Sequence, residues 1–215
     1  MNYQPQIDTA RQGADDSAKR RQIVQGARLM FLAKGFDAAS MSDIARAAGV
    51  SKGTLYVYFE NKEELFEAIV REECLVHAEG VFTLDPADHD VAGTLTRLGA
   101  TYVAFLCQPE KASALRTVVA IADRMPAIGR IFYETGPAVG IAKVGAYLKA
   151  QTEAGVIAVD DCELAASQFL ESCKATLFSP VLFNFSEAPS PAAISHVVGV
   201  AVRTFMRAYE VKRPH

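Results

Sequence analysis

Between Ser51 and Lys62 the chain reads Ser-Lys-Gly-Thr-Leu-Tyr-Val-Tyr-Phe-Glu-Asn-Lys, an unusual mixture for a short helix. Leu55 and Phe59 lie four apart and turn to one side, toward Ile44, Ala45 and Val50. Lys52 and Tyr56 share one outer line, Thr54 and Tyr58 another. An outward face of lysine, glycine, threonine and tyrosine packs poorly, but it suits the groove of a polyanion. Lysine reaches a phosphate or a guanine, threonine brings a hydroxyl and a methyl to base edges, and tyrosine hydroxyls reach phosphate oxygens. Gly53 lets the backbone come close. Semi-buried packing is the plainer account of the two tyrosines.

Other chemistry-bearing residues lead to nothing comparable. Cys74-x-x-His77 could present two metal ligands on one helix face, but no second pair of ligands completes a site, so no metal is expected. His89 and His196 stand apart from any nucleophile motif. Cys107 and Cys173 fall in apolar stretches and read as small buried hydrophobes. No phosphate-cradling glycine loop and no nucleophile elbow occurs, so neither a catalytic set nor a cofactor is expected. Tyr102, Phe105, Met125, Phe132, Phe169 and Cys173 could line a cavity between helices that takes a small apolar molecule. For each of them a packed core is the alternative.

The elements that must hold these residues are helices throughout, because apolar spacing is helical and strand signals are nearly absent. Residues 1–14 read as a polar tail. A first helix from Asp15 or Asp16 stops at Lys34-Gly35. Ser40-Met-Ser-Asp43 is a variant capping box that opens a second, short helix. Gly49 makes the turn to the third, giving a helix-turn-helix. Residues 15–61 form this unit and 62–215 a larger helical one, an all-α protein of about nine helices. Breaks are expected at Gln108-Pro109, Met125-Pro126, Gly136-Pro137 and Ser190-Pro191, with one long helix from Val159 to about Phe178 or Asn184 that kinks near its end at Pro180. Its apolar residues, and those of the last helix, spread over more than one side and call for cover on more than one side. Phe169, Leu177, Val198, Val202, Phe205 and Tyr209 are the expected seam of a homodimer.

Composition narrows the class. With 215 residues, 50% of them apolar and a net charge of only −3, the chain buries a core and is not dominated by disorder. Four dilute cysteines do not make a disulfide scaffold. No apolar run reaches the ~18 residues of a membrane span, and the N-terminus lacks the pattern of a signal peptide, so a cytoplasmic protein without a membrane partner is expected. Residues 1–62 carry nine Lys/Arg against six Asp/Glu, a net +3, and the remainder 13 against 19, a net −6. That asymmetry fits a molecule of which one end meets phosphate.

Phe31, Gly35-Phe36, Ser42-Asp43-Ile44-Ala45, Ala48-Gly49-Val50-Ser51, Gly53-Thr54-Leu55-Tyr56, Tyr58-Phe59 and Lys62 together resemble the N-terminal signature of the TetR/AcrR family of bacterial transcriptional regulators, over about residues 16–70. Ile131-Phe-Tyr-Glu-Thr-Gly-Pro137 is similar to the AefR-like C-terminal subgroup. The resemblance implies that Ser42, Lys52, Gly53, Thr54, Tyr56, Tyr58 and Lys62 face double-stranded DNA, with Tyr56 and Lys62 on phosphates and Lys52 and Thr54 on bases. Ser42 stands where other members often carry arginine or a larger polar residue, which leaves fewer base contacts. The expectation is a homodimeric repressor, not an enzyme, that leaves a palindromic operator when a small apolar effector binds. A DNA-binding dimer governed by a protein partner is the alternative, and an enzyme with a merely structural helix-turn-helix is a weaker one.

Overall fold

The computed structural model describes residues 8–211, with the side chains of residues 16–75 and 80–211. Among these residues there are eleven helices and one isolated bridge, Ile157 to Glu210, and no sheet. The chain divides into two compact units, Met1–Glu72 and Glu73–His215.

The first unit holds α1 (Asp8–Ala38), α2 (Met41–Ala47), α3 (Lys52–Tyr58) and the start of α4 (Lys62–Val81). Helix α1 begins inside the stretch expected as a tail, and residues 1–7 lie outside the described ones. Its regular course is broken where expected, at Gly35, whose φ of 76° is open to glycine at little cost. The capping box of α2 is complete: Ser40 Oγ accepts the Asp43 N–H at 3.1 Å, and the Asp43 carboxylate accepts the Ser40 N–H at 3.4 Å. Ser51 caps α3 in the same way, accepting the Thr54 N–H at 2.9 Å.

The turn between these helices is set by α1. Gln22 donates to the Ala48 carbonyl at 2.7 Å. Gly26 lies so close beneath that a Cβ there would stand 2.6 Å from the Ala48 Cα, a place only glycine fits. Ile23, Val24, Phe31, Ile44, Leu55, Phe59, Leu65 and Phe66 fill the core. The compact division therefore falls inside α4, at Glu72, rather than before Lys62, because Leu65, Phe66, Ile69 and Val70 belong to the first core.

The second unit continues with α5 (Val91–Leu106), α6 (Pro109–Ala122), α7 (Pro126–Thr135), α8 (Pro137–Glu153), α9 (Cys162–Lys174), α10 (Phe178–Leu182) and α11 (Pro191–Tyr209). Four of these start on a proline, as expected from its fixed φ and missing N–H. The long helix expected from Val159 is two helices. The Pro180 ring would strike the carbonyl of Thr176 in a continuous helix, and the chain instead leaves helical geometry there, with Thr176 at φ 62°. The connection from α4 to α5 is tied down by a wholly buried Gln151, which donates to the Pro86 carbonyl at 2.8 Å and meets His89 Nδ1 at 2.7 Å.

The core of this unit takes up four of the residues expected at the dimer seam. Phe169, Val198, Val202 and Phe205 are buried among helices of their own chain, with the Phe169 and Phe205 rings 5.6 Å apart. Helices α5 and α9 cover the apolar stripe of α11 within the chain. Leu177 and Tyr209 are half-buried against the same core. No described helix is long and apolar enough to cross a membrane.

Candidate nucleic-acid interface

On α3, Leu55 is fully buried, and each residue turns about 100° from the last. The direction opposite Leu55 is therefore shared by Gly53 and Val57, with Lys52 and Tyr56 on one flank and Thr54 on the other. Gly53, Lys52 and Tyr56 are exposed, and the Lys52 ammonium stands 5.9 Å from the centre of the Tyr56 ring, on the common line expected for the pair. Ser42 is exposed on α2. Thr54 is half-buried and its hydroxyl is 2.8 Å from that of Ser51, so the hydroxyl serves the cap and leaves the methyl for other contacts.

Two residues expected to reach DNA are engaged inside the unit. Tyr58 is half-buried and its hydroxyl donates to the Asp16 carboxylate on α1 at 2.5 Å. Lys62 donates to the carbonyls of Phe36 and Asp37 at 2.8 and 3.3 Å, with its ammonium 4.4 Å from the Phe36 ring centre. It completes the end of α1 as a cation on terminal carbonyls.

The surrounding charges are largely paired. Asp43 takes Lys34 at 3.1 Å and also holds Arg46. The Ser40 hydroxyl, then Lys34, keeps the Asp43 carboxyl below its ordinary range. Arg20 bridges Glu72 at 2.7 Å and lies over the Phe59 ring at 5.2 Å. The residue that sequence reasoning missed is Val57, which is 81% exposed in the middle of the outward face. Its type gives no signal of this. Only its place opposite Leu55, two positions on, could have found it.

In the second unit, Tyr102 is half-buried with its ring 5.6 Å from Phe82, and burial pushes its hydroxyl pKa up. Phe105 is half-buried under the Lys111 ammonium at 5.3 Å, and Met125 and Phe132 are also half-buried. Phe169 and Cys173 are buried in the core, and burial pushes the Cys173 thiol up to about 12. Cys74 is half-buried, while the His77 side chain lies outside the described ones, and no metal-binding group of three occurs among the described residues.

Residues 23–69 match the family described as bacterial regulatory proteins, tetR family, and residues 93–211 match the AefR-like transcriptional repressor, C-terminal domain. Over 57 residues, 26% of this chain, it is 40% identical to the HTH-type transcriptional repressor Rv1474c of Mycobacterium tuberculosis. The match spans 30% of that repressor's length. A chain from Mesorhizobium loti MAFF303099, described as a TetR-family transcriptional regulator, is similar over 91% of this chain and 98% of its own, with 32% identity and a TM-score of 0.83. The flavonoid-responsive regulator FrrA has 28% identity and a TM-score of 0.81 over 92% of this chain and all of its own.

Proposed function

The chain belongs to the TetR family of bacterial regulatory proteins, with an AefR-like C-terminal domain, and on that basis we propose that it is a cytoplasmic, homodimeric repressor that leaves a palindromic operator when a small apolar effector binds its second unit. It is a DNA-binding transcriptional regulator. The observation that carries the reading is the outward face of α3, where Lys52, Gly53, Tyr56 and Val57 have no role in the unit's own core. A short helix buttressed by α1 through Gln22 and Gly26 can enter a major groove as one rigid piece.

For the effector, the support is the AefR-like second unit and the likeness to FrrA, a flavonoid-responsive regulator. Half-buried Tyr102, Phe105, Met125 and Phe132 suit a largely apolar ligand. Such a ligand must bind one arrangement of the molecule better than the other, since equal affinity for both shifts nothing. A differential of about 1–3 kcal/mol lowers operator affinity roughly 5- to 150-fold. Helix α4 begins in the first unit and ends in the second, which makes it the element for the two sites to share.

The dimer seam we place on surfaces that the chain leaves uncovered. Phe183 and Phe185, 78% and 86% exposed, follow α10 in a turn whose backbone is fixed by the Phe185 N–H on the Pro180 carbonyl at 2.8 Å. Arg116 holds the Leu182 carbonyl beside it at 3.1 Å. A turn this well tied that points two phenylalanines outward is built to be covered. The test of the whole reading is selection of bound fragments from genomic DNA, followed by titration of the complex with flavonoids. Enrichment of a palindrome and ligand-dependent release are expected. Unselective retention of DNA overturns the operator, and release by no ligand overturns the effector.

A further inference from the structure

We infer that Gly53 and Val57 form an apolar reading point on α3 that recognises the C5-methyl group of a thymine in each operator half-site, so that Val57 determines specificity. The inference rests on the DNA-binding reading of α3 and adds a residue and a base to it.

A Cβ added at Gly53 would meet only Ser51 Oγ, at 3.8 Å, and the residue has no positive φ. Nothing inside the protein asks for glycine there, although glycine in a helix costs stability relative to alanine. Contrast Gly26, where the Ala48 backbone excludes any side chain, and Gly49, where φ is 64°. The open space over Gly53 is therefore kept for something outside the chain. Val57 stands one turn further along the same line, opposite Leu55.

Val57 carries no donor or acceptor, so it cannot bind a phosphate or a polar base edge. The residue is 81% exposed, where a β-branched apolar side chain gains little from burial and little from helix propensity. In the major groove the one apolar group on a base edge is the thymine methyl. Gly53 brings the helix backbone close enough for a side chain as short as valine to reach it. Lys52 and Tyr56 on the flank supply the polar contacts to phosphate or guanine that fix the helix around this point.

The test is selection from a random duplex library with the full-length protein and with Val57→Ala, followed by affinity for the selected site with each thymine replaced in turn by deoxyuridine, which lacks only the methyl. The expected result is one thymine per half-site whose replacement weakens the unmodified protein roughly fourfold per methyl lost. For Val57→Ala that same replacement changes affinity less than twofold, and selection at that position relaxes. Val57→Thr, which keeps one methyl, falls between the two. If every deoxyuridine duplex binds the unmodified protein like the thymine duplex, the assignment is overturned. It is equally overturned if Val57→Ala selects the same site with the same sensitivity. A protein that enriches no site at low salt fails at the DNA-binding reading instead, a different and recognisable outcome.

Discussion

An ammonium group that rests on two carbonyl oxygens and an aromatic ring has little left for a phosphate, and Lys62 is in that position. Lys62→Ala is therefore expected to act through stability. Hydrogen bonds from a charged donor contribute about 1.5–3 kcal/mol when buried, and a half-exposed one less, so a loss of about 1 kcal/mol and a fall of several degrees in melting temperature follow. Operator affinity should drop without any change in its salt dependence. A slope reduced by about two, one for each chain on the duplex, at an unchanged melting temperature, would return Lys62 to the phosphate backbone. Tyr58 makes the same point through Asp16, its partner 42 residues away. Partners this distant explain what residue-level reading missed. Residue types along α3 identified Lys52 and Tyr56, whose exposure follows from spacing alone. The ties of Tyr58 and Lys62 depend on where α1 passes, and Val57 is apolar like any core residue.

Helix α3 holds two opposed requirements, and Gly53 is where they meet. Gly53→Ala should stabilise the first unit, by up to about 1 kcal/mol, because helix propensity improves and the added methyl meets open space. The same methyl should weaken operator binding at least tenfold by holding the helix off the groove. A thermal melt and a binding isotherm on one preparation check both signs, and a variant that binds as tightly as the parent contradicts the account. At this scale the sequence was informative wherever a break is chemical: Gly35, the Ser40–Asp43 box, Ser51, and the prolines opening α6, α7, α8 and α11. It was less so where the break is steric. Pro180 indicated a kink, but the left-handed Thr176 that separates α9 from α10 depends on a collision with a carbonyl. The α11 stripe shows why an apolar face does not name its partner. Its spacing is equally suited to another chain or to α5 and α9, and only packing decides.

For the whole molecule, two recognition helices about 34 Å apart need two chains, so assembly and operator symmetry stand or fall together. Replacing Phe183 and Phe185 together by serine should give a folded monomer by light scattering at micromolar concentration, with most operator affinity lost. Val202→Glu should instead unfold the second unit, since it buries a lone charge at a cost of several kcal/mol. A serine double variant that remains a dimer removes this turn from the seam. Sequence-selective DNA binding through α3 is read out by fluorescence anisotropy on a selected palindromic duplex against a scrambled one across a salt series. Two chains per duplex are expected, with affinity for the palindrome at least about a thousandfold above that for the scramble and a steep linear fall of log affinity with log salt. Equal affinity for the two duplexes, or no binding at low salt, would contradict sequence-selective binding through α3.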